Sequence, residues 1–124
     1  MDKAIKRIVS FIPVLVFVWS CSSNRVFVDY NQQLIIPSKS LINTGISFLE
    51  YRSDSIWCYV ILSESVSKLD PFHLPDDCTI IGDVRATILQ KGKDYCIINR
   101  SNGDAGPFEL RIRIDSTGRI KPPR

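Results

Sequence analysis

Hydrophobic and polar residues alternate in short runs from Arg25 onward, whereas apolar residues at helical spacing are scarce. The alternation is sharpest at 108–114. There Phe, Leu and Ile occupy one set of alternate positions, and Glu109, Arg111 and Arg113 occupy the other. Because successive side chains of a strand point to opposite faces, this run predicts a strand buried on one side only.

Seven further runs rich in β-branched and aromatic residues predict strands. They lie at 26–30, 34–36, 46–51, 56–62, 78–81, 84–90 and 94–99. Two hairpins are expected, one through the turn at 52–55 and one through Lys91-Gly92-Lys93, where glycine supplies the positive φ of a tight turn. The run 56–62 is apolar at every position, which predicts a central strand covered on both faces.

Seven or eight short strands separated by turn signals predict an all-β fold, a small antiparallel β-sandwich or barrel. The 124 residues are enough for one domain. Their 44% hydrophobic content is too high for a disordered chain.

The first twenty residues form a different pattern. Lys3, Lys6 and Arg7 precede an apolar run at 8–19 that is interrupted by Ser10 and Pro13. A basic start followed by a short apolar run is typical of a secretory signal. The run is shorter than the ~20 residues that a membrane-spanning helix needs.

The residues that follow, Val18-Trp19-Ser20-Cys21, resemble the lipobox of bacterial lipoproteins, with Trp19 standing where that family usually has a small residue. The resemblance implies cleavage before Cys21 and lipidation of its thiol, and two or more acyl chains would anchor the chain stably. It divides the sequence into a signal peptide at 1–20, an anchor and short tether at 21–30, and a β-domain at 31–124. The alternative is a secreted protein in which Cys21 has no such role.

The residues after Cys21 bear on where a lipoprotein would reside. In that family an aspartate directly after the cysteine marks inner-membrane retention, and an acidic cluster marks surface export; Ser22-Ser23-Asn24-Arg25 has neither. The resemblance therefore implies an outer-membrane anchor with the domain facing the periplasm. The run 21–30 is also similar to the start of a gliding-associated lipoprotein family, but the sequence beyond it does not follow that family.

With Cys21 lipidated, Cys58, Cys78 and Cys96 remain in an oxidising compartment. Cys58 and Cys96 lie within predicted strands among large apolar residues, so a disulfide between them is predicted, with three unpaired thiols as the alternative. Such a bridge would loosely resemble the pin of an immunoglobulin-like sandwich, although Trp57 is adjacent to Cys58 rather than well after it. Cys78 is expected to be more exposed.

The segment 70–77 contains the only histidine, His73, together with Asp70, Asp76 and Asp77. A cation site, a His–Asp general base and a thiol at Cys78 paired with His73 are each conceivable. The ligand spacing of a cation loop is missing, and two prolines favour a solvated turn. No phosphate-binding glycine motif and no G-x-S-x-G is present. We therefore assign no catalytic residue, no metal and no cofactor.

The net charge of +3 comes mainly from the signal, because residues 21–124 hold 13 Lys and Arg against 12 Asp and Glu. Nucleic-acid binding is not indicated. Arg111 and Arg113 are the candidate partner-binding residues, since they give one strand a basic outer side that could meet an acidic partner or lipid headgroups. The alternative is a solvated strand face.

The sequence thus favours a non-catalytic, membrane-anchored module that binds an envelope or secreted protein. One concrete form is an immunity protein against a secreted toxin. The alternative is an accessory structural lipoprotein of an envelope secretion, gliding or uptake machine.

Overall fold

The computed structural model describes residues 23–38 and 45–123. The strands are β1 (Val26–Asp29), β2 (Leu34–Pro37), β3 (Ile46–Ser53), β4 (Ile56–Val66), β5 (Thr79–Gly82), β6 (Asp94–Asn99), β7 (Phe108–Ile114) and β8 (Ile120–Lys121). A 3-10 turn occupies Val84–Thr87. No helix in these ranges is long and apolar enough to cross a membrane.

All strand pairs are antiparallel, which confirms the prediction of a small antiparallel all-β fold. β1 and β2 form a separate hairpin, and the other six strands form one sheet in the order β5-β4-β3-β6-β7-β8. β3 and β4 are joined by a tight turn in which Asp54 adopts a φ of 52°, a left-handed conformation that aspartate tolerates better than most residues. The chain then adds β5 outside β4 and returns to the other side of β3 with β6.

The core lies between the hairpin and one face of the six-stranded sheet, here called the inner face. Its side chains occupy alternate positions of each strand and are almost fully buried; they include Leu49, Tyr51, Val60, Ile97, Ile112 and Ile114. Val26, Val28 and Ile35 of the hairpin belong to the same cluster. The alternation of the β7 sequence is therefore confirmed as a strand with one buried side.

The segment after β4 helps to close this core. Leu69 exchanges two backbone hydrogen bonds with Ile35 of β2, with N–O distances of 2.8 and 2.9 Å. The Tyr51 hydroxyl donates to the Pro71 carbonyl at 3.4 Å, and Ala86 of the 3-10 turn is fully buried. The inner face is thus covered by the hairpin together with the segment 69–71 and the 3-10 turn.

Asn24 is held by hydrogen bonds at one end of the six-stranded sheet. Its side-chain amide donates to the carbonyls of Asn102 and Gly106 at 2.9 and 3.0 Å, and its carbonyl oxygen accepts from the Asn102 N–H at 2.7 Å. The Asn99 side chain donates to the Asn24 backbone carbonyl at 2.9 Å. We call this the Asn24 end, where β6 finishes and β7 begins.

The opposite end of the sheet, called the far end, carries the turn between β3 and β4, the start of β6 and the β7–β8 turn. The β1–β2 turn lies there too, because Gln33 hydrogen bonds to the backbone of Ile120 and the Arg119 guanidinium donates to the Tyr30 carbonyl at 3.1 Å. β1 and β6 therefore run between the same two ends of the domain.

Three expectations need correction. The run 56–62 is not covered on both faces, because Trp57 and Ile61 stay exposed while Val60 is buried. Residues 84–90 do not pair with β6; they begin as the 3-10 turn, and β6 pairs with β3 and β7 instead.

The third correction concerns the predicted tether at 21–30, which overlaps β1. Asn24, Val26 and Val28 are buried, so these residues belong to the folded domain. The predicted signal peptide at 1–20 and Cys21 lie outside the described residues.

Candidate functional site

The other face of the six-stranded sheet, the outer face, is exposed over a broad apolar area on its β3–β4–β5 side. The side chains that form this apolar half are Phe48, Trp57, Tyr59, Ile61 and Ile81. Strand register places them together, since Phe48 is opposite Ile61 and Tyr59 is opposite Ile81. Trp57, Ile61 and Ile81 are 45%, 37% and 52% exposed. A contiguous apolar patch of this kind on a small domain is a feature of interaction surfaces.

The rings of the apolar half pack against one another rather than into the core. Phe48 and Tyr59 stack with centroids 5.4 Å apart, and Trp57 meets the edge of Tyr59 at 5.1 Å. Aromatic pairs favour such stacked and edge-to-face arrangements. The three rings therefore form one continuous aromatic cluster on the outer face.

The remainder of the outer face, from β3 across β6 to β7, is charged. We call the following residues the charged half: Glu50, Arg52, Cys96, Arg100, Glu109, Arg111 and Arg113. Cys96 pairs with Arg52 on β3 and with Arg111 on β7, so these three side chains form one row across the sheet. Both sequence-predicted partner residues, Arg111 and Arg113, therefore lie on the outer face, and the structure places two more arginines, Arg52 and Arg100, on the same face.

Glu50 is the buried carboxylate of the charged half, with a side chain only 1% exposed. Arg52 donates to one of its oxygens, and the Arg100 guanidinium lies 3.2 Å from the other. A buried charge is costly unless it is paired and hydrogen bonded. The two arginines provide that pairing from opposite sides, which holds their side chains over the sheet.

A groove of about 450 Å³ lies on the charged half between β3, β6 and β7. The side chains that line it include Arg52, Asp94, Cys96, Glu109, Arg111 and Pro123. The Arg111 guanidinium is exposed and lies 3.8 Å from the Glu109 carboxylate, beyond hydrogen-bonding distance. Arg111 can therefore bind a carboxylate from outside the chain without breaking a direct hydrogen bond to Glu109.

Cys96 in this groove is not an activated nucleophile. Burial and the neighbouring Glu109 carboxylate raise the pKa of its thiol to about 11. Burial likewise raises the pKa of the Cys58 thiol to about 11. Because the thiolate is the reactive form, both thiols are largely unreactive near neutral pH.

The predicted disulfide between Cys58 and Cys96 is wrong. Cys58, Cys78 and Cys96 are all free thiols. Cys58 lies opposite Tyr51 on the inner face, whereas Cys96 lies opposite Arg52 on the outer face, and β3 separates their strands. Two strand spacings put their Cα atoms about 9–10 Å apart, which is too far for a disulfide.

The histidine segment also takes a definite form. His73 Nδ1 lies 3.0 Å from a carboxylate oxygen of Asp70, and the histidine side chain is largely exposed. Asp77 instead accepts a hydrogen bond from Ser63 at 2.5 Å. In the part of the chain that the structure describes, no three His, Cys, Asp or Glu side chains converge as a metal site.

The sequence alone did not indicate the apolar half, nor the ion pairs that Arg52 and Arg100 make with Glu50. The apolar half could have been suspected, because a run that is apolar on both faces needs covering layers on both sides, and a domain of this size has few elements to supply them. Glu50, Arg52 and Arg100 carry no such local signal, since only the strand register and the chain path after β6 bring them together.

No family model, curated protein or solved structure matches this chain.

Proposed function

We propose that this chain is a small, lipid-anchored envelope protein that binds another protein, without catalysis, through the outer face of its six-stranded sheet. The observation that carries the proposal is that exposed Trp57 and Ile61 share one face of the sheet with Arg52 and Arg111.

The composition of this surface favours a protein partner. Tryptophan, tyrosine and arginine are enriched among the residues that dominate binding energy at protein interfaces. Trp57 and Tyr59 offer large rigid rings, and Arg111 offers a guanidinium that can bind a carboxylate with two parallel hydrogen bonds. The partner surface expected is apolar opposite β4 and acidic opposite β7.

A non-catalytic role is supported by the described side chains that most resemble catalytic groups. Cys58 and Cys96 have raised thiol pKa values. His73 pairs with Asp70 on an exposed turn. None of these three residues belongs to a constellation of nucleophile, base and orienting group of the kind that catalysis requires.

The binding surface can be tested by photo-crosslinking in cells. A photoreactive residue replaces Ile81 on the outer face, or Phe27 on the hairpin, which is exposed to a similar extent (52% against 49%). We expect one defined envelope or secreted protein to crosslink from position 81 and not from position 27. Equal crosslinking at both positions, or none at position 81, would contradict the proposal.

Purified components then measure the energetics. Trp57→Ala and Arg111→Glu should each weaken binding of the crosslinked protein by at least tenfold, as interface hot spots do, whereas Phe27→Ala should leave its affinity unchanged. The identity of that protein separates the two forms of the proposal. A secreted toxin indicates an immunity protein, and a machine component indicates an accessory lipoprotein.

The anchor has its own test. A palmitate analogue supplied to growing cells should label the wild-type chain and not the Cys21→Ser variant. Label that persists in Cys21→Ser would contradict lipidation at this residue.

A further inference from the structure

Folded structure extends to within three residues of the proposed lipid site. Asn24 is 3% exposed and is held by hydrogen bonds to Asn99, Asn102 and Gly106. Removing such a side chain would leave buried backbone groups unpaired, so the attachment belongs to the stable part of the fold. Only Ser22 and Ser23 separate Asn24 from Cys21.

These two serines set an upper limit on the tether. Three residue steps of fully extended chain span at most ~11 Å. A flexible linker of about 12 residues would instead give an average reach of ~20 Å and would leave the domain free to tumble. With the native spacing, Asn24 has to stay near the lipid headgroups.

We infer that the Asn24 end of the domain rests against the bilayer surface, so that the far end and the outer-face groove are presented away from the membrane. The inference rests on the Cys21 anchor of the proposed function. The occupant of the Asn24 end is the headgroup layer of the membrane that holds the chain's own acyl groups.

The strand register shows that this orientation places the outer-face groove away from the membrane. β6 runs from Asp94 at the far end to Asn99 at the Asn24 end, and the two ends are about 17 Å apart at the usual rise of a strand. Arg52, Arg111 and the Trp57 ring all lie toward the far end in the strand register. A partner could then reach the groove without displacing lipid.

The Asn24 end also carries a cation suited to headgroups. Arg25 is exposed directly after Asn24, and its guanidinium lies 6.0 Å from the centre of the Phe108 ring. This cation–π contact positions the charge at the end of the sheet. Lipid phosphates are the natural counterions for a guanidinium in that place.

Tryptophan quenching tests the orientation, because Trp57 is the only tryptophan after the predicted cleavage point. The lipidated chain, cleaved before Cys21, is reconstituted into phosphatidylcholine vesicles that contain a lipid with a nitroxide on its headgroup. The comparison protein is Trp57→Phe with Gly103→Trp, which moves the tryptophan to the loop beside Asn24. A Cβ atom added at Gly103 meets no non-neighbouring residue within 4 Å, so a side chain can start there without a clash.

We expect the tryptophan at position 103 to be quenched several-fold more than Trp57. Inserting about 12 Gly and Ser residues between Ser22 and Ser23, enough for ~20 Å of reach, should remove most of that difference. Equal quenching at the two positions with the native spacing would overturn the inference, as would a difference that survives the insertion.

Palmitate labelling of the same preparations separates this inference from the function it rests on. Labelled protein with equal quenching overturns the orientation and leaves the anchor and the protein-binding surface standing. Absence of label at Cys21 overturns the anchor and the orientation together. The crosslinking result at Ile81 is independent of both.

Discussion

The two faces of the six-stranded sheet are built from the same strands and differ in what covers them. On the inner face, Leu49, Val60 and Ile97 are at most 1% exposed beneath the hairpin. On the outer face, the neighbouring positions Trp57 and Ile61 remain 45% and 37% exposed. Apolar residues on the inner face hold the domain together, whereas those on the outer face contribute less to its stability and stay available to a partner. Exposure, rather than residue type, distinguishes the two roles.

The largest expected difference between the two faces is in stability. It can be measured by truncating two adjacent residues of β4 whose side chains point to opposite faces. Leu62→Ala removes a side chain that is 6% exposed in the core, and we expect it to lower the free energy of unfolding by about 2–5 kcal/mol. Ile61→Ala, on the outer face, should cost less than about 1 kcal/mol. Urea unfolding followed by circular dichroism measures both. Similar losses for the two variants would show that the outer face is also structural.

The charged half of the outer face is expected to contribute an intermediate amount, through Glu50 and Arg100. Arg100→Ala should lower the free energy of unfolding by about 1–2 kcal/mol, because it removes a charge-assisted hydrogen bond to a buried carboxylate. In a Glu50→Gln background the same change should cost about 1 kcal/mol less. A double-mutant cycle of unfolding free energies tests this. Identical costs in the two backgrounds would mean that the pair is not coupled.

The thiols of Cys58 and Cys96 allow the two faces to be compared without changing stability. Cys58 is fully buried on the inner face, whereas Cys96 is half-buried in the outer-face groove. Iodoacetamide should therefore modify Cys96 before Cys58 in the native protein. Because the pKa of Cys96 is about 11, its rate should rise about tenfold per pH unit from pH 7 to 10.

Mass spectrometry of the alkylated peptides gives the order of modification. The unfolded chain, treated without reductant, is the control and should take up label at both residues. If neither Cys58 nor Cys96 were alkylated in the unfolded chain, the two would be joined by the disulfide that the strand register contradicts.

The smallest effect is expected at a turn that belongs to neither face. Hydrogen bonds from the Thr117 hydroxyl and the Arg119 N–H lower the pKa of Asp115 from 3.8 to about 2. Because this pKa is lower in the folded state, the stability that Asp115 contributes is complete above pH 4 and is lost as the pH falls toward 2. Asp115→Asn should therefore flatten the acid unfolding curve slightly in that interval. An NMR titration that places this carboxyl near pH 4 would contradict the assignment.

Local patterns of this sequence were sufficient for those parts of the fold that depend on neighbouring residues. The strict alternation at 108–114 determines a one-sided strand, because side-chain direction in a strand has a period of two residues. The hairpin between β3 and β4 follows similarly from two apolar runs around a polar turn. These features require no knowledge of what else packs nearby.

The tertiary structure decided whatever depends on strand order and on covering layers. Cys58 and Cys96 occupy similar apolar runs, but β3 lies between their strands and the register turns them to opposite faces. Residues 84–90 have the composition of a strand, yet the edge of β6 they would have joined is occupied by β3. Which strands pair across a long sequence separation cannot be read from local sequence, because several pairings satisfy the local pattern of apolar and polar residues.

The candidate site shows the same division. The sequence identified Arg111 and Arg113 as residues on one strand face, since their spacing alone places them there. Only the folded sheet placed Arg52 on the same face and left Trp57 uncovered, because the hairpin β1–β2 covers the inner face and leaves the outer one exposed. Alternation within a strand is a local property, whereas the exposure of a face depends on how many elements the whole chain has to cover it.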